Sequence, residues 1–293
     1  MLTAQESFPK LAKVINVPEI ILKREDLHPY GSHKGRSIPY MIDEYIKQGY
    51  SDFVISSSGN AALAAAYKVN NYNETNPNKK ITLQIFVGKN IETEKLNDLK
   101  NLIIDKNINI RQVKRPKQSA FQSDKNKKTK NLRQSTDDLA LKGYQSLADE
   151  LNAIKNLQAI FIPTSSGTTA EALKNSFYKL NINPQIHIVQ TCACSIIAAE
   201  FDNNYYPCAI SLAQAIVDNV AHRKKKVIEA IKKSNGFGWI VAENEIKKAI
   251  KLIKKTTGID ISPNSALSIA GLVKAVKNGW KFNGSIVCLI TGK

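Results

Sequence analysis

Four short segments carry residue types whose spacing suits chemistry. Ser57-Ser58-Gly59-Asn60 runs into Ala61-Ala62-Leu63-Ala64-Ala65-Ala66, and Thr164-Ser165-Ser166-Gly167-Thr168-Thr169 runs into Ala170-Glu171-Ala172-Leu173. Thr291-Gly292-Lys293 is the third. Each follows an apolar run. Small residues let backbone N–H groups approach an anion, and a helix N-terminus adds favourable partial charge. Taken singly, each segment also reads as a helix cap or tight turn, because Ser, Thr and Asn are favoured caps. Their joint placement after strands favours a ligand site, since ligands of α/β sheets bind beyond the carboxyl ends of strands. No G-x-G-x-x-G follows the first of these strands and no G-x-x-x-x-G-K-[ST] occurs, which argues against dinucleotide and P-loop nucleotide sites. The fourth segment runs Lys23-Arg24-Glu25-Asp26-Leu27-His28-Pro29-Tyr30-Gly31-Ser32-His33-Lys34-Gly35-Arg36. On residue type alone, Lys34 is one lysine among many.

The elements that must position these segments alternate between short strands and helices, the pattern of an α/β protein with mainly parallel sheets. Strands are expected over 53–56, 81–87, 108–113, 159–163, 185–190 and 285–290. Several are near-continuous apolar runs, as strands covered on both faces require. Ile38, Met41, Ile42, Tyr45 and Ile46 make one helical face, and Ile246, Ala249, Ile250 and Ile253 another. Residues 115–136 are rich in Lys, Gln, Ser and Asn and read as a mobile connection or domain edge. Gly236-Phe237-Gly238 reads as a turn after a helix, and Gly258 as a helix C-cap after Lys254 and Lys255.

Composition bounds the function class. At 293 residues, 43% hydrophobic and 23% charged, the chain can bury a substantial core. No apolar run reaches the roughly 18 residues of a membrane span, and the N-terminus lacks a signal pattern, so a cytoplasmic protein is expected. The net charge of +17 comes mostly from lysines dispersed among Asn and Ile. The densest cluster, 125–130, lacks aromatic interleaving, so no nucleic-acid partner is expected. Lys224, Lys225 and Lys226 open an amphipathic helix as a solvated face. Cys192, Cys194, Cys208 and Cys288 lack paired zinc spacing, so they read as structural thiols and no metal is expected.

The segment from Lys23 to Arg36 resembles the active-site lysine segment of fold-type-II pyridoxal-phosphate enzymes, the group of threonine synthase, threonine dehydratase, cysteine synthase and the tryptophan synthase β chain. There a Lys-x-Glu-Asp-like strand leads through Pro-x-Gly-Ser to the lysine and a nearby Arg. His33 is similar to the tryptophan synthase β chain, whereas Gly31-Ser32 and Arg36 are closer to the threonine enzymes. The resemblance makes Lys34 the lysine that forms a Schiff base with pyridoxal 5'-phosphate and, once freed, a general base. It makes Ser57, Ser58, Gly59 and Asn60 the loop that holds the substrate carboxylate, with Asn60 also meeting the cofactor's phenolic oxygen. Ser165, Ser166, Gly167, Thr168 and Thr169 become the phosphate cup, and Thr291 the partner of the pyridine nitrogen. Asn131-Leu132-Arg133-Gln134-Ser135 with Gly143-Tyr144-Gln145-Ser146-Leu147-Ala148, and Ser262-Pro263-Asn264-Ser265-Ala266, also resemble threonine synthase stretches. The resemblance covers nearly the whole chain.

Two departures stand out: the cup keeps only Gly167 among hydroxyl residues, and Ser262 stands where the family has Glu. The resemblance implies two doubly wound parallel-sheet domains with the active site between them. Residues 1–47 and 134–293 would form a large cofactor-binding domain and 48–133 a small one carrying the Asn loop. The expected activity is a threonine-synthase-like lyase acting on O-phosphohomoserine. Alternatives are a serine/threonine dehydratase-like deaminase, or a cofactor-binding protein that has lost turnover. The expected partner is a small amino-acid substrate, with no membrane partner and a homodimer as the candidate assembly.

Overall fold

Short buried strands and longer amphipathic helices alternate along the chain, and the computed structural model describes residues 2–91, 93–125 and 128–292. In chain order the elements are β1 (Gln5–Ser7), α1 (Pro9–Ile15), β2 (Glu19–Arg24), α2 (Lys34–Lys47), β3 (Asp52–Ser56), α3 (Asn60–Thr75) and β4 (Thr82–Gly88). Then come α4 (Thr93–Leu102), β5 (Ile108–Val113), α5 (Pro116–Asp124), β6 (Thr129–Asn131), α6 (Leu139–Lys142), α7 (Gln145–Asn152), β7 (Leu157–Pro163) and α8 (Thr168–Lys179). The last are β8 (Gln185–Thr191), α9 (Lys224–Lys233), β9 (Phe237–Val241), α10 (Glu243–Thr257), α11 (Pro263–Lys277) and β10 (Ser285–Ile290). All six expected strands form, with ends shifted by at most two residues.

The chain divides into two units, Met1–His28 with Tyr144–Lys293, and Pro29–Gly143. The first holds a six-stranded sheet in the order β1-β2-β10-β7-β8-β9, parallel except for β1 against β2. Strand side chains alternate between faces. Ile286, Cys288 and Ile290 of β10 and Ile20 and Leu22 of β2 share one core with residues of α1, α10 and α11, while α8 and α9 pack on β8. Both faces are covered, so all six residues of β10 are buried. His187 of β8 sits in this core, stacked on Phe161 at 4.5 Å with its Nδ1 accepting the Trp239 indole N–H at 3.1 Å. Burial pushes its pKa down to about 3, so it is a neutral structural ring.

The second unit holds a four-stranded parallel sheet in the order β5-β4-β3-β6. Ile38, Met41, Ile42 and Tyr45 of α2 share a core with Phe53, Ile55, Leu83 and the buried alanines of α3. This packing puts α2, and Lys34 with it, in the smaller unit, whereas the sequence reading assigned residues 1–47 to the larger. The return boundary falls at Gly143 rather than at residue 134, because α6 belongs here too: Ser37 Oγ donates to Ala140 O at 2.9 Å.

Three further expectations are corrected. Residues 115–136 are not a bare connection. They contain α5, whose Ala120 is buried against Val54 and Phe86, and β6, which pairs with β3. Phe237 and Gly238 belong to a strand rather than a turn, since β9 pairs with β8 in register. Cys192 and Cys208 are joined in a disulfide, leaving Cys194 and Cys288 as buried thiols. Gly258 does cap α10, at φ 78°.

A buried ion pair anchors the start of the larger unit. Lys23 on β2 is fully buried, pairs with Glu150 of α7 and donates to Thr3 O at 2.8 Å. Removing one partner of such a pair takes the main compensation from a buried charge, whereas an apolar replacement of both is better tolerated. Glu150→Leu is therefore expected to destabilise the protein by about 3–5 kcal/mol in denaturant unfolding, and Lys23→Met/Glu150→Leu to recover most of that loss. An unchanged midpoint in the single variant would contradict the assignment.

Candidate active site

In the larger unit, the expected cup and the expected ring partner leave neighbouring strands at one level. β10 lies inside the sheet between β2 and β7. Its register pairs Cys288 with Phe161, each two residues before its strand ends, at Ile290 and Pro163. The loop containing Ser165, Ser166 and Gly167 therefore emerges beside Thr291, one strand spacing away (about 4.8 Å). Thr291 is buried, and the backbone after it is fastened to the first turn of α11. Gly292 O accepts from Ser262 Oγ at 2.7 Å and Ser265 Oγ at 2.8 Å. Ser262, where the family has Glu, is the N-cap of α11, its Oγ accepting from Ser265 N.

The loop itself ends at Gly167, whose φ of 87° is a left-handed conformation that favours glycine. A Cβ there would meet Val227 Cγ2 at 2.5 Å, so glycine is required by packing as well as by backbone. Thr168 and Thr169, both buried, then open α8. The first bond into the helix is Glu171 N–H to Gly167 O at 3.0 Å. By helix geometry the amides of Thr169 and Ala170 precede the intrahelical ladder and point out of the helix start. Ser166 Oγ and Thr168 Oγ1 lie 3.0 Å apart. Glu171 in the same turn is neutralised by Arg223 at 2.9 Å and Lys226 at 3.3 Å. Helix-start amides and two hydroxyls are a donor set that fits a phosphate, and the pairing of Glu171 with Arg223 and Lys226 offsets the repulsion its charge would exert on an anion. Ser165 plays a structural part in the loop, since its Oγ accepts from Val217 N and Asp218 N, both at 3.2 Å.

In the smaller unit, Gly31 at φ 73° turns the chain into α2. Lys34 is the first residue of that helix, with His33 at the N-cap and Ser32 Oγ accepting from Lys34 N at 3.3 Å. Burial of its amine pushes the pKa from the ordinary 10.5 down to about 8. Ser57, Ser58 and Gly59 join β3 to α3, with Gly59 N donating to Ser57 Oγ at 3.3 Å and Asn60 as the first residue of α3. α2 enters β3 and α3 leaves it, and the two helices pack together. The donors suit a carboxylate, being small residues at a helix start.

Two participants in the larger unit escape a reading by motif. Gln190 on β8 touches the cup loop through Ser165 O. Residues 202–223 form a long irregular strap, tied by the Cys192–Cys208 disulfide, by Ala215 N to Asn264 Oδ1 at 3.0 Å, and by Ser165. A glutamine inside an apolar strand is the one visible signal of the first; the strap gives none.

The chain is similar to proteins of known family and fold. The family model described as pyridoxal-phosphate dependent enzyme matches residues 3–292. Threonine synthase of Methanocaldococcus jannaschii is 25% identical over 301 residues, covering 96% of this chain and 72% of that one. The structure of the processed form of threonine deaminase isoform 2 from Solanum lycopersicum superposes with a TM-score of 0.78 at 20% identity, over 99% of this chain and 78% of that one. Maize serine racemase gives 0.81 at 15% identity, over 99% and 87%. These structures establish the fold as that of the fold-type-II group. With a family match over nearly its entire length, the chain belongs to the pyridoxal-phosphate dependent enzymes, and pyridoxal phosphate is its cofactor.

Proposed function

We propose that the protein is a threonine-synthase-like lyase that converts O-phosphohomoserine and water to threonine and inorganic phosphate. The observation that carries this reading is the likeness to a threonine synthase across 96% of the chain. In it, Ser166, Gly167, Thr168 and Thr169 hold the cofactor phosphate through helix-start amides and hydroxyls, with Ser165 fixing the loop. Asn60 meets the phenolic oxygen of the ring, and Ser57, Ser58 and Gly59 hold the substrate carboxylate. Thr291 faces the ring nitrogen. The bound cofactor supplies the electron sink for the pair released from the substrate α-carbon. A hydroxyl partner leaves the ring a weaker sink than a carboxylate would, which suits elimination and replacement.

Lys34 carries the cofactor and moves the proton. Its Nζ takes the α-proton of the substrate and returns it during turnover. A pKa of about 8 makes roughly 300-fold more neutral amine available at neutral pH than the ordinary 10.5 would. The cause is loss of solvation, which disfavours the charged form. The sign follows: lowering the pKa moves the amine toward its basic, reactive form at neutral pH. In cofactor-free protein, competitive labelling with an amine-acylating reagent is expected to give Lys34 a half-maximal pH of about 8. A midpoint near 10.5, shared with surface lysines, would remove the general-base role.

A serine/threonine dehydratase-like deaminase is the second reading, favoured by the fold likeness to a threonine deaminase. The two separate on a substrate panel. O-phosphohomoserine is expected to yield equimolar phosphate and threonine, with no product from Lys34→Ala. A 2-oxo acid released from serine or threonine, with no phosphate from O-phosphohomoserine, overturns the first reading in favour of the second. Interconversion of serine enantiomers, or cofactor binding without any turnover, overturns both.

A further inference from the structure

Gln190 sits on β8 within the sequence Gln185-Ile186-His187-Ile188-Val189-Gln190-Thr191 and is fully buried. A primary amide in such a place must satisfy both ends, or it costs about 1–3 kcal/mol. Its Oε1 accepts two backbone N–H groups, Ile197 at 2.9 Å and Ala198 at 2.8 Å. Two donors aimed at one atom identify that atom as the oxygen, which turns the amide NH2 the other way. There Nε2 donates to Ser165 O at 3.4 Å. One side chain thus ties the 3₁₀ turn Ala198–Glu200 to the loop that opens α8.

Both of its attachments bear on that loop. Ile197, held through its amide, lies behind Gly167: a Cβ on Gly167 would come within 3.4 Å of Ile197 Cδ1. Ser165 is held at its carbonyl by Gln190 and at its hydroxyl by Val217 N and Asp218 N, at 3.2 Å each. The carbonyl of Ser165 also belongs to the peptide that carries Ser166 N–H. Fixing that carbonyl fixes the plane of the peptide and the direction of its N–H.

We propose that Gln190 is a positioning residue for cofactor-phosphate recognition, aiming the amides of the loop from Ser165 to Gly167 before the phosphate arrives. It touches neither cofactor nor substrate and acts through Ser165. The inference rests on the reading of this loop as the phosphate cup. Glutamine is suited to this role because it is neutral and carries acceptor and donor on one planar group. Asparagine is one methylene shorter, and a carboxylate would present oxygen to the Ser165 carbonyl.

The test compares binding of pyridoxal phosphate with binding of pyridoxal, which has the same ring and aldehyde but no phosphate. Gln190→Met removes both polar ends at similar volume; Gln190→Glu keeps the acceptor for Ile197 and Ala198 and loses the amide donor. Both variants are expected to weaken pyridoxal phosphate about tenfold while leaving pyridoxal within about twofold, because one oriented hydrogen bond is at stake. Should Gln190→Met fold poorly by circular dichroism, Gln190→Glu decides. Equal loss for both ligands, or loss for neither, overturns the proposal. Gly167→Ala, measured in parallel, tests the cup itself. If it leaves the ratio of the two affinities unchanged, the cup reading fails. If it collapses the ratio while both Gln190 variants preserve it, only the role of Gln190 fails.

Discussion

The parallel pairing of β7 with β10, in a register that ends both strands at one level, is the constraint from which the larger unit's site follows. Because the strands run the same way, the loop before α8 and the hydroxyl of Thr291 leave the same edge of the sheet side by side. Helices on both faces make the strands almost wholly apolar, and they force every polar atom at the strand ends to find a partner. Ser262 and Ser265 meet that demand at Gly292, Gln190 at Ser165, and Thr164 Oγ1 at Ile162 O, 2.8 Å away. Polar satisfaction at the carboxyl edge and preorganisation of the proposed anion site are the same set of bonds.

Burial acts on charge with opposite outcomes at two lysines. Lys23 is fully buried and stays paired, with Glu150 and the Thr3 carbonyl as partners, so its role is to hold β2 in place. Lys34 experiences desolvation as the dominant influence, which lowers its pKa to about 8 and makes the amine a base. The large positive net charge has no part in either. It is spread over exposed lysines such as Lys47, Lys233 and Lys254, whose partners are nearby surface carboxylates.

Legibility from sequence followed burial. The strands that could be read directly are those with continuous apolar runs, because both of their faces are covered. β2 was hidden by Lys23 and Arg24, whose charges are satisfied by partners distant in sequence or, for Arg24, by Asp26 at 2.8 Å. β9 was masked by Gly238, where a Cβ would come within 2.9 Å of Ala198 Cα. α5 exposes most of its surface and buries only Ala120, so its composition resembled a connection. The segments of the site were legible as types of residue and became specific through the resemblance around Lys34. The placement of α2 in the smaller unit was not legible, since its apolar face fits any α/β core. Neither the Cys192–Cys208 pairing nor the strap could be anticipated, because their contacts join residues with no shared local pattern.

Lys34 is the residue on which the proposed chemistry depends, because in that proposal it holds the cofactor. Borohydride reduction of the holo-protein, followed by proteolysis and mass spectrometry, fixes the cofactor to whichever lysine carries it. A single labelled peptide with the modification on Lys34 is expected. Stoichiometric label on any other lysine, with Lys34 unmodified, would contradict that role.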